Sequence, residues 1–415
     1  MKIAYLSHSP LLSPVANAVH VMKMCSAFAD NGHEVTLYAR GSRQTQQDIF
    51  AAYGVEKRFR VVLLSTRAFG RPFRRVMYGL VQAYRAKTRD RPDIYYARCM
   101  ISAVCALLLG GQVVLEVHEV PRKRSERRIL RWLLQHRRLR RVVTISHALL
   151  EDLRKSYPGV SCKCVVAADG ASIGTSGVAF PLRRGAGRQI GYAGGLRPGN
   201  GVQLILDLAD SRRADTFHVL GGSSEEIAAW RARQKSTNVV WYGRCDPAHV
   251  PGFLSACDVL LAPYENGPKT SSGRDTSRWM SPLKIFEYMA SGRPMIVSDF
   301  PVLREVLSEE VAVITEPANL TAWIRALDGL EDECDRERLG ARALSVFRQR
   351  FTWEARARDV LRGLEQPSGA EARGDSKERR PTAEAPTPDA EAGGAPRASG
   401  SAAKIGPRLR GSRGP

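Results

Sequence analysis

The sequence predicts an α/β protein of two parallel-sheet domains facing across a cleft, and three observations predict it. Short apolar, β-branched runs alternate with segments of helical period. The alternation runs through the chain twice. A stretch rich in Gly, Ser and Pro, 171–188, separates the two series. Strands buried on both faces are apolar throughout, and crossover helices join them in parallel. A length of 415 residues also exceeds one ordinary domain.

In the first series the expected strands are 2–7, 34–39, 61–65, 93–98, 113–119, 142–146 and 164–169. In the second they are 189–195, 217–222, 239–244, 259–264, 295–299 and 311–315. Segments such as VHVMKMCSAFADNG and PGFLSACD supply helices between them. The most apolar run, ISAVCALLLGGQVVLEV, contains Gly110, Gly111 and Gln112, so it reads as helix, turn and strand and not as a membrane span. The pattern predicts two Rossmann-like domains, at 1–175 and 189–346, joined by a linker at 176–188. From 366 to 415 the chain has no aromatic residue and almost no large aliphatics. Such a tail buries too little apolar surface to offset the entropy of ordering, so disorder is expected there.

The totals narrow the class. Apolar content of 43% suffices for real cores, and the net charge of +21 points to anionic partners. No helix-turn-helix, zinc finger or RNP-type aromatic motif appears, which sets nucleic acid aside. The eight cysteines include no CxxC pair. Cys162 and Cys164 would share one face of a strand, and reduced thiols in a cytoplasmic protein are expected. The opening MKIAYLSHSP lacks the long apolar run of a secretory leader.

The most informative segment is SPLKIFEYMASG, Ser281 to Gly292. Ser281 suits an N-cap, Pro282 the first helical position and Gly292 the stop. Free N–H groups and the positive dipole end of such a helix suit a phosphate or diphosphate. Lys284 adds positive charge, and Glu287, one turn on, can accept two hydrogen bonds from a vicinal diol such as ribose. Taken alone, the same residues equally suit an ordinary capped helix with a surface Lys and Glu. The loop YAGGLRPGNG (192–201) follows an expected strand and precedes a helix, and Gly194 and Gly195 would let a phosphate approach the backbone.

Across SPLKIFEYMASGRPMIVSDFPVLREVL the chain resembles glycosyltransferase family 4, the retaining nucleotide-sugar enzymes of GT-B fold. NGHEVTLYAR (31–40), VVTISHALLEDL (142–153), IGYAGGLRPGNGVQLILDLA (190–209) and FRQRFTWEARARDVL (347–361) resemble further family segments in the same order. The resemblance spans roughly 1–365. It implies a C-terminal helix, within 347–365, that crosses back onto the first domain. It implies a nucleotide-sugar donor held by the second domain, and an acceptor, a glycan or lipid-linked glycan, held by the first.

The expected donor contacts, read from the helix start, the glycine loop, the strand ends and the resemblance together, are Gly194, Gly195, Arg197, Gly222, Arg244, Ser281, Leu283, Lys284 and Glu287. The second glutamate of the family's Glu-x7-Glu motif maps onto Glu287. The first falls on Trp279, and two positions that the family often fills with Arg and Lys are Gly195 and Asn200. Arg197 and Lys284 are the substitutes for that charge. His118 and Glu119 are the catalytic candidates, and Asn17 and His20 are candidates for acceptor or phosphate contact. A family Gly-Gly pair is replaced by Ala16–Asn17.

The implied chemistry is front-face attack, with stabilisation of the departing diphosphate as the enzyme's main task. No Asp-x-Asp triplet is present, so no cofactor and no obligatory divalent metal are expected. Two other readings share the pattern: a GT-B sugar-nucleotide epimerase, and a catalytically inactive sugar-nucleotide-binding partner. A nicotinamide oxidoreductase fits less well, since SHSPLLSP stands where a GxGxxG turn would follow the first strand.

Two basic segments, 69–87 and 121–141, mix Arg and Lys with Phe73 and Trp132 and fall in the first domain. Such helices suit an anionic membrane surface, which places the protein in the cytoplasm, peripheral on the inner face of the membrane. Solvated basic helix faces are the plainer alternative.

Overall fold

The computed structural model describes residues 1–11, 16–41, 46–65, 73–173, 179–185, 187–265, 275 and 277–364. The expectation of a disordered tail at 366–415 falls outside these residues.

All thirteen expected strands form. In the first domain they are β1 (Lys2–Pro10), β2 (Glu34–Arg40), β3 (Arg60–Leu64), β4 (Ile94–Ala97), β5 (Val113–Val117), β6 (Leu139–Thr144) and β7 (Cys164–Val166). In the second they are β8 (Gln189–Ala193), β9 (Thr216–Leu220), β10 (Val239–Gly243), β11 (Val259–Ala262), β12 (Met295–Ser298) and β13 (Val313–Thr315). The first sheet has the order β3-β2-β1-β4-β5-β6-β7, the second β10-β9-β8-β11-β12-β13. Every pairing between strands is parallel. Each sheet reverses its winding beside its first strand, where ligands of doubly wound sheets bind beyond the strand ends.

Alternation along each strand divides the cores. On β1, Ile3 and Tyr5 enter one cluster and Ala4 and Leu6 another. On β12, Met295 and Val297 face one side and Ile296 the other. The run 101–117 resolves as a helix (Met100–Leu108), a turn and β5. No helix among the described residues is long and apolar enough to cross a membrane.

Three local expectations change. The crossing segment starts at Thr352, not 347, because Phe347–Arg350 complete a longer helix, Glu333–Arg350. Thr352 then caps the helix Trp353–Leu361 by accepting from the Ala355 N–H at 3.1 Å. The linker is not a bare tether: Phe180 stacks edge-on against Tyr242 and Phe253 of the second domain. Cys164 opens β7, but Cys162 lies in the 3-10 turn Val160–Lys163 before it, so the two do not share a strand.

The crossing helix completes the first domain. Trp353, Ala357, Val360 and Leu361 belong to the same buried cluster as Tyr5, Met24 and Phe28. A second set of ties joins the domains near 278–305. Asp152 accepts from Arg278 Nε (2.5 Å), Arg278 Nη2 (2.7 Å) and the Trp279 indole (2.8 Å). The Glu305 carboxylate accepts from the His147 and Ala148 N–H groups at 2.6 and 2.8 Å, at the start of the helix His147–Ser156.

Hydrogen bonds from Arg278 hold the Asp152 carboxyl down to about 2, against an ordinary 3.8. A carboxyl depressed in the folded state stabilises above its unfolded value and loses that contribution as pH falls through its folded one. Arg278 is largely exposed, which discounts the pair. Asp152→Ala should therefore cost about 1 kcal/mol in urea unfolding at pH 7. The difference from wild type should shrink between pH 3.8 and about 2.

Candidate functional site

Two features meet where the sheets face each other: the start of the helix Leu283–Ser291, and a buried charge cluster at the end of β5.

The helix begins one residue later than expected. Pro282 occupies the cap position and Ser281 makes no cap bond. The Ser281 hydroxyl is taken instead by the Asp169 N–H of the first domain, 2.8 Å away. Gly292 ends the helix in the left-handed region at φ +67°, as expected.

Lys284 points to the glycine loop after β8. Its ammonium lies 4.4 Å from the Tyr192 ring centroid, 4.6 Å from that of Tyr264, and 3.3 Å from the Tyr192 hydroxyl. Aromatic faces attract a cation but do not neutralise it. No carboxylate among the described residues lies within ion-pair distance. Burial pushes its pKa down to about 7, against the upward pull of Glu287. Gly194 is required here: a Cβ would stand 2.9 Å from the Lys284 Nζ and 2.8 Å from the Tyr192 hydroxyl. Behind it, Gly221 at φ +129° leaves no room for a side chain against the Gly194 carbonyl.

The other loop residues have distinct uses. Gly195 is exposed, and its carbonyl accepts from Tyr192 (2.7 Å) and Asn200 (3.0 Å), so Asn200 shapes the loop. The Arg197 carbonyl accepts from the Asn200 N–H, which closes the turn around that half-buried side chain. Gly222 is buried against Leu196, which a Cβ would strike. Arg244 is half exposed and turns to Glu226, 3.7 Å away.

Glu287 faces a different cavity, of about 220 Å³, lined from both domains by Lys23, Leu283, Pro247 and Trp353 among others. Burial raises its carboxyl, opposed by Lys23 of the first domain and by Lys284. Trp279, at the place of the family's first glutamate, packs against the first domain's core and donates to Asp152. That position serves the join between domains.

The charge cluster centres on Glu116, fully buried in mid-strand. Its Oε1 lies 2.7 Å from His118 Nε2, 3.1 Å from His20 Nε2 and 3.4 Å from Arg98 Nε. Its Oε2 accepts from the Tyr96 hydroxyl and, at 3.3 Å, from Arg356 Nη1 of the crossing helix. Arg356 is 2% exposed, and also donates to the Ala167 and Ala168 carbonyls. Asp169 pairs with His20 Nδ1 at 2.9 Å. Burial pushes the Glu116 carboxyl up, but Arg356, His20, Arg98 and the His118 hydrogen bond outweigh it and hold it well below 4.5. Burial, with Arg98, pushes His118 down. His118 Nε2 lies 2.7 Å from both Glu116 Oε1 and Arg98 Nη2, and Nδ1 lies 3.4 Å from the same Arg98 nitrogen, so the ring is held between a carboxylate and a guanidinium.

His118 and Glu119 follow the end of β5, both half-buried, and line a cavity of the first domain. His20 is buried within the cluster against Trp353 and is closed to ligand. Asn17 is exposed and donates to Ser9 at 2.5 Å. Tyr192, Tyr264, Lys23, Arg98, Glu116 and Arg356 were not anticipated. Glu116 alone carried a signal, a carboxylate in mid-course of an apolar strand.

Two doubly wound domains, with a carboxylate-free ammonium at the helix that opens onto the cleft, define a protein of the GT-B type. Residues 18–171 match the family described as Glycosyltransferase Family 4, and residues 197–362 match one described as Glycosyl transferase-like. The two matches, one to each domain, support a glycosyltransferase of the family 4 type. A curated relative, the putative teichuronic acid biosynthesis glycosyltransferase TuaH of Bacillus subtilis (strain 168), is 27% identical over 113 residues, a match spanning 27% of each chain. The crystal structure of Anabaena HepE in complex with UDP-glucose superposes with a TM-score of 0.63 at 15% identity, covering 88% of this chain and 99% of that one. Sucrose-phosphate synthase from Thermosynechococcus elongatus gives 0.64 at 16%, covering 86% and 96%. At these identities the structures share the fold.

Removing Arg356 would leave Glu116 buried without its strongest cation. Arg356→Met should cost about 3–5 kcal/mol in denaturant unfolding. Because the Glu116 carboxyl is depressed, the cluster stabilises above pH 4.5 and fades as pH falls below it. The variant should show a shallower acid dependence than wild type over that range.

Proposed function

We propose that the chain is a retaining glycosyltransferase that moves a sugar from a nucleotide-diphosphate sugar to a hydroxyl of a glycan or lipid-linked glycan precursor. The observation that carries this reading is the Lys284 ammonium, set between Tyr192 and Tyr264 with no carboxylate partner, beside the Gly194 loop and the helix N-terminus. An ammonium depressed to about 7 regains its charge when an anion arrives. A departing diphosphate is such an anion, and it supplies the charge that the site lacks. Glu287, in the cavity entered from both domains, would accept from the ribose hydroxyls. Arg197 is the second cation of the diphosphate site. The reading uses these groups in place of an obligatory divalent metal. The complex of HepE with UDP-glucose supports a uridine nucleotide donor.

On the acceptor side, His118 and the Glu119 carboxylate would contact the reacting sugar. Retention follows from attack on the face from which the diphosphate leaves, so the phosphate oxygen takes the acceptor proton. Lys284 and the helix dipole then stabilise the charge that develops.

Removing Lys284 separates binding from folding. Lys284→Met should weaken UDP binding about 10- to 100-fold by calorimetry. Its melting temperature should hold or rise, since a buried ammonium is lost. In wild type, UDP affinity should decline as pH rises through about 7, where free Lys284 loses its proton. The variant should lack that slope, and Glu287→Ala should weaken UDP with no such change in slope. Unchanged UDP affinity in both variants would overturn the donor assignment.

A peripheral position on the cytoplasmic membrane face is supported by an outward stripe in the first domain. Phe73, Met77, Leu80 and Tyr84 are exposed along the helix Arg74–Arg85, Leu108 is exposed on the helix Met100–Leu108 packed against it, and Trp132 on the helix Arg124–Gln135 packed against that one. Arg122, Lys123, Arg124, Arg128 and Arg131 are exposed around Trp132. Basic residues flanking such a stripe favour anionic headgroups. The protein should co-sediment with vesicles containing phosphatidylglycerol and not with neutral ones. Leu80→Ser with Tyr84→Ser should abolish the difference.

A further inference from the structure

The first domain holds a second cavity, of about 660 Å³, which the donor reading leaves unused. It lies beyond the ends of β1, β2, β4 and β5, roofed by the first turn of the helix Arg74–Arg85. Arg40, Arg74, Arg75 and Arg98 line it, with Tyr78, Met100 and Ile101 as apolar walls. Its carboxylates do not balance the arginines evenly. Glu116 is already held by two guanidinium groups, Arg98 and Arg356, and two imidazoles, His20 and His118. Glu119 and Glu126 line the cavity beside Pro121 and Ile129.

The opposite end is sensed by His8, whose ring packs edge-on to Tyr78 at 4.7 Å and lies 3.1 Å from the Ser102 hydroxyl. Burial first, then Arg75 and Arg40, lower its pKa to about 4, with no carboxylate pulling the other way. Among the described residues, the guanidinium groups of Arg40 and Arg75 have no ion-pair partner. Two like charges converging on one neutral imidazole, without a counter-charge, leave a site that an anion would complete.

We propose that this end of the cavity is an anion subsite, and that the acceptor carries a carboxylate or phosphate ester seated on Arg40 and Arg75. His118 lines the same cavity, so an acceptor anchored there would turn its other end toward the reacting centre. The inference rests on the reading of the first domain as the acceptor side. It narrows the acceptor to an acidic sugar or a phosphorylated one.

The test uses the full-length protein and three probes followed by ligand-observed NMR: glucuronate, glucose 1-phosphate and glucose. At least one acidic probe should bind saturably, and the better one tells carboxylate from phosphate. Glucose should bind at least about tenfold more weakly. Arg40→Gln with Arg75→Gln should weaken the acidic probe at least about tenfold. Arg137→Gln, an exposed arginine outside the cavity, should leave it unchanged and so exclude a general effect of the basic surface. The single exposed variant Arg75→Gln, with a smaller loss in the same direction, guards against misfolding of the double variant. Equal binding by wild type and both variants, or failure of both acidic probes to bind wild type, would overturn the subsite. UDP titrated into the same samples keeps the readings apart. Retained UDP binding with no acid-sugar binding defeats only the subsite, and lost UDP binding in wild type defeats the donor site.

Discussion

One buried carboxylate sets the terms for the rest of the molecule. Glu116 sits in mid-strand with no access to water, and an isolated charge there would cost many kcal/mol. His20, Arg98, His118 and Arg356 converge on it from a helix, two strand ends and the crossing helix. The carboxylate therefore fixes His118 at the cleft and the last helix on the first domain. Arg356 cannot leave without stranding it, so packing and electrostatics enforce the same geometry.

The second domain solves the opposite problem. At Lys284 a cation is partly buried, with aromatic faces and a phenol oxygen for company in place of a counter-charge. Where Glu116 is saturated, Lys284 is left wanting. That asymmetry distinguishes a structural charge from one held ready for a ligand. The ties between the domains support both sites. Trp279, Arg278, Ser281 and Glu305 all bond to the first domain within a short span of the chain that contains Lys284. The donor helix is registered directly against the acceptor domain.

Much of this was legible in the sequence. Strands buried on both faces announce themselves by continuous apolar runs, so β1 to β13 and the twofold repeat could be read directly. Lys284 and the Gly194 loop were recognisable from their place between strand and helix. Less legible was whatever depends on partners distant in sequence. The Ser281 hydroxyl has the chemistry of a cap, yet Asp169 claims it from 112 residues away. His20 looked like a ligand contact because polar residues at a helix start often are, and only the fold reveals that Glu116, Asp169 and Trp353 enclose it. Trp279 read as a missing glutamate until Asp152 supplied its partner. Tyr264 had no local signal, since nothing near it hints at a cation from another helix.

The crossing helix has a consequence for the order in which the molecule is made. Trp353, Arg356, Val360 and Leu361 complete the first domain's core and neutralise its buried carboxylate, yet they leave the ribosome after almost all of the described residues. The second domain's core draws on the chain as far as Phe351, which packs against Phe286, and takes no buried residue from the crossing helix. Domains usually mature in the order of synthesis. Here the amino-terminal half must wait, with Glu116 unanswered, and finishes last.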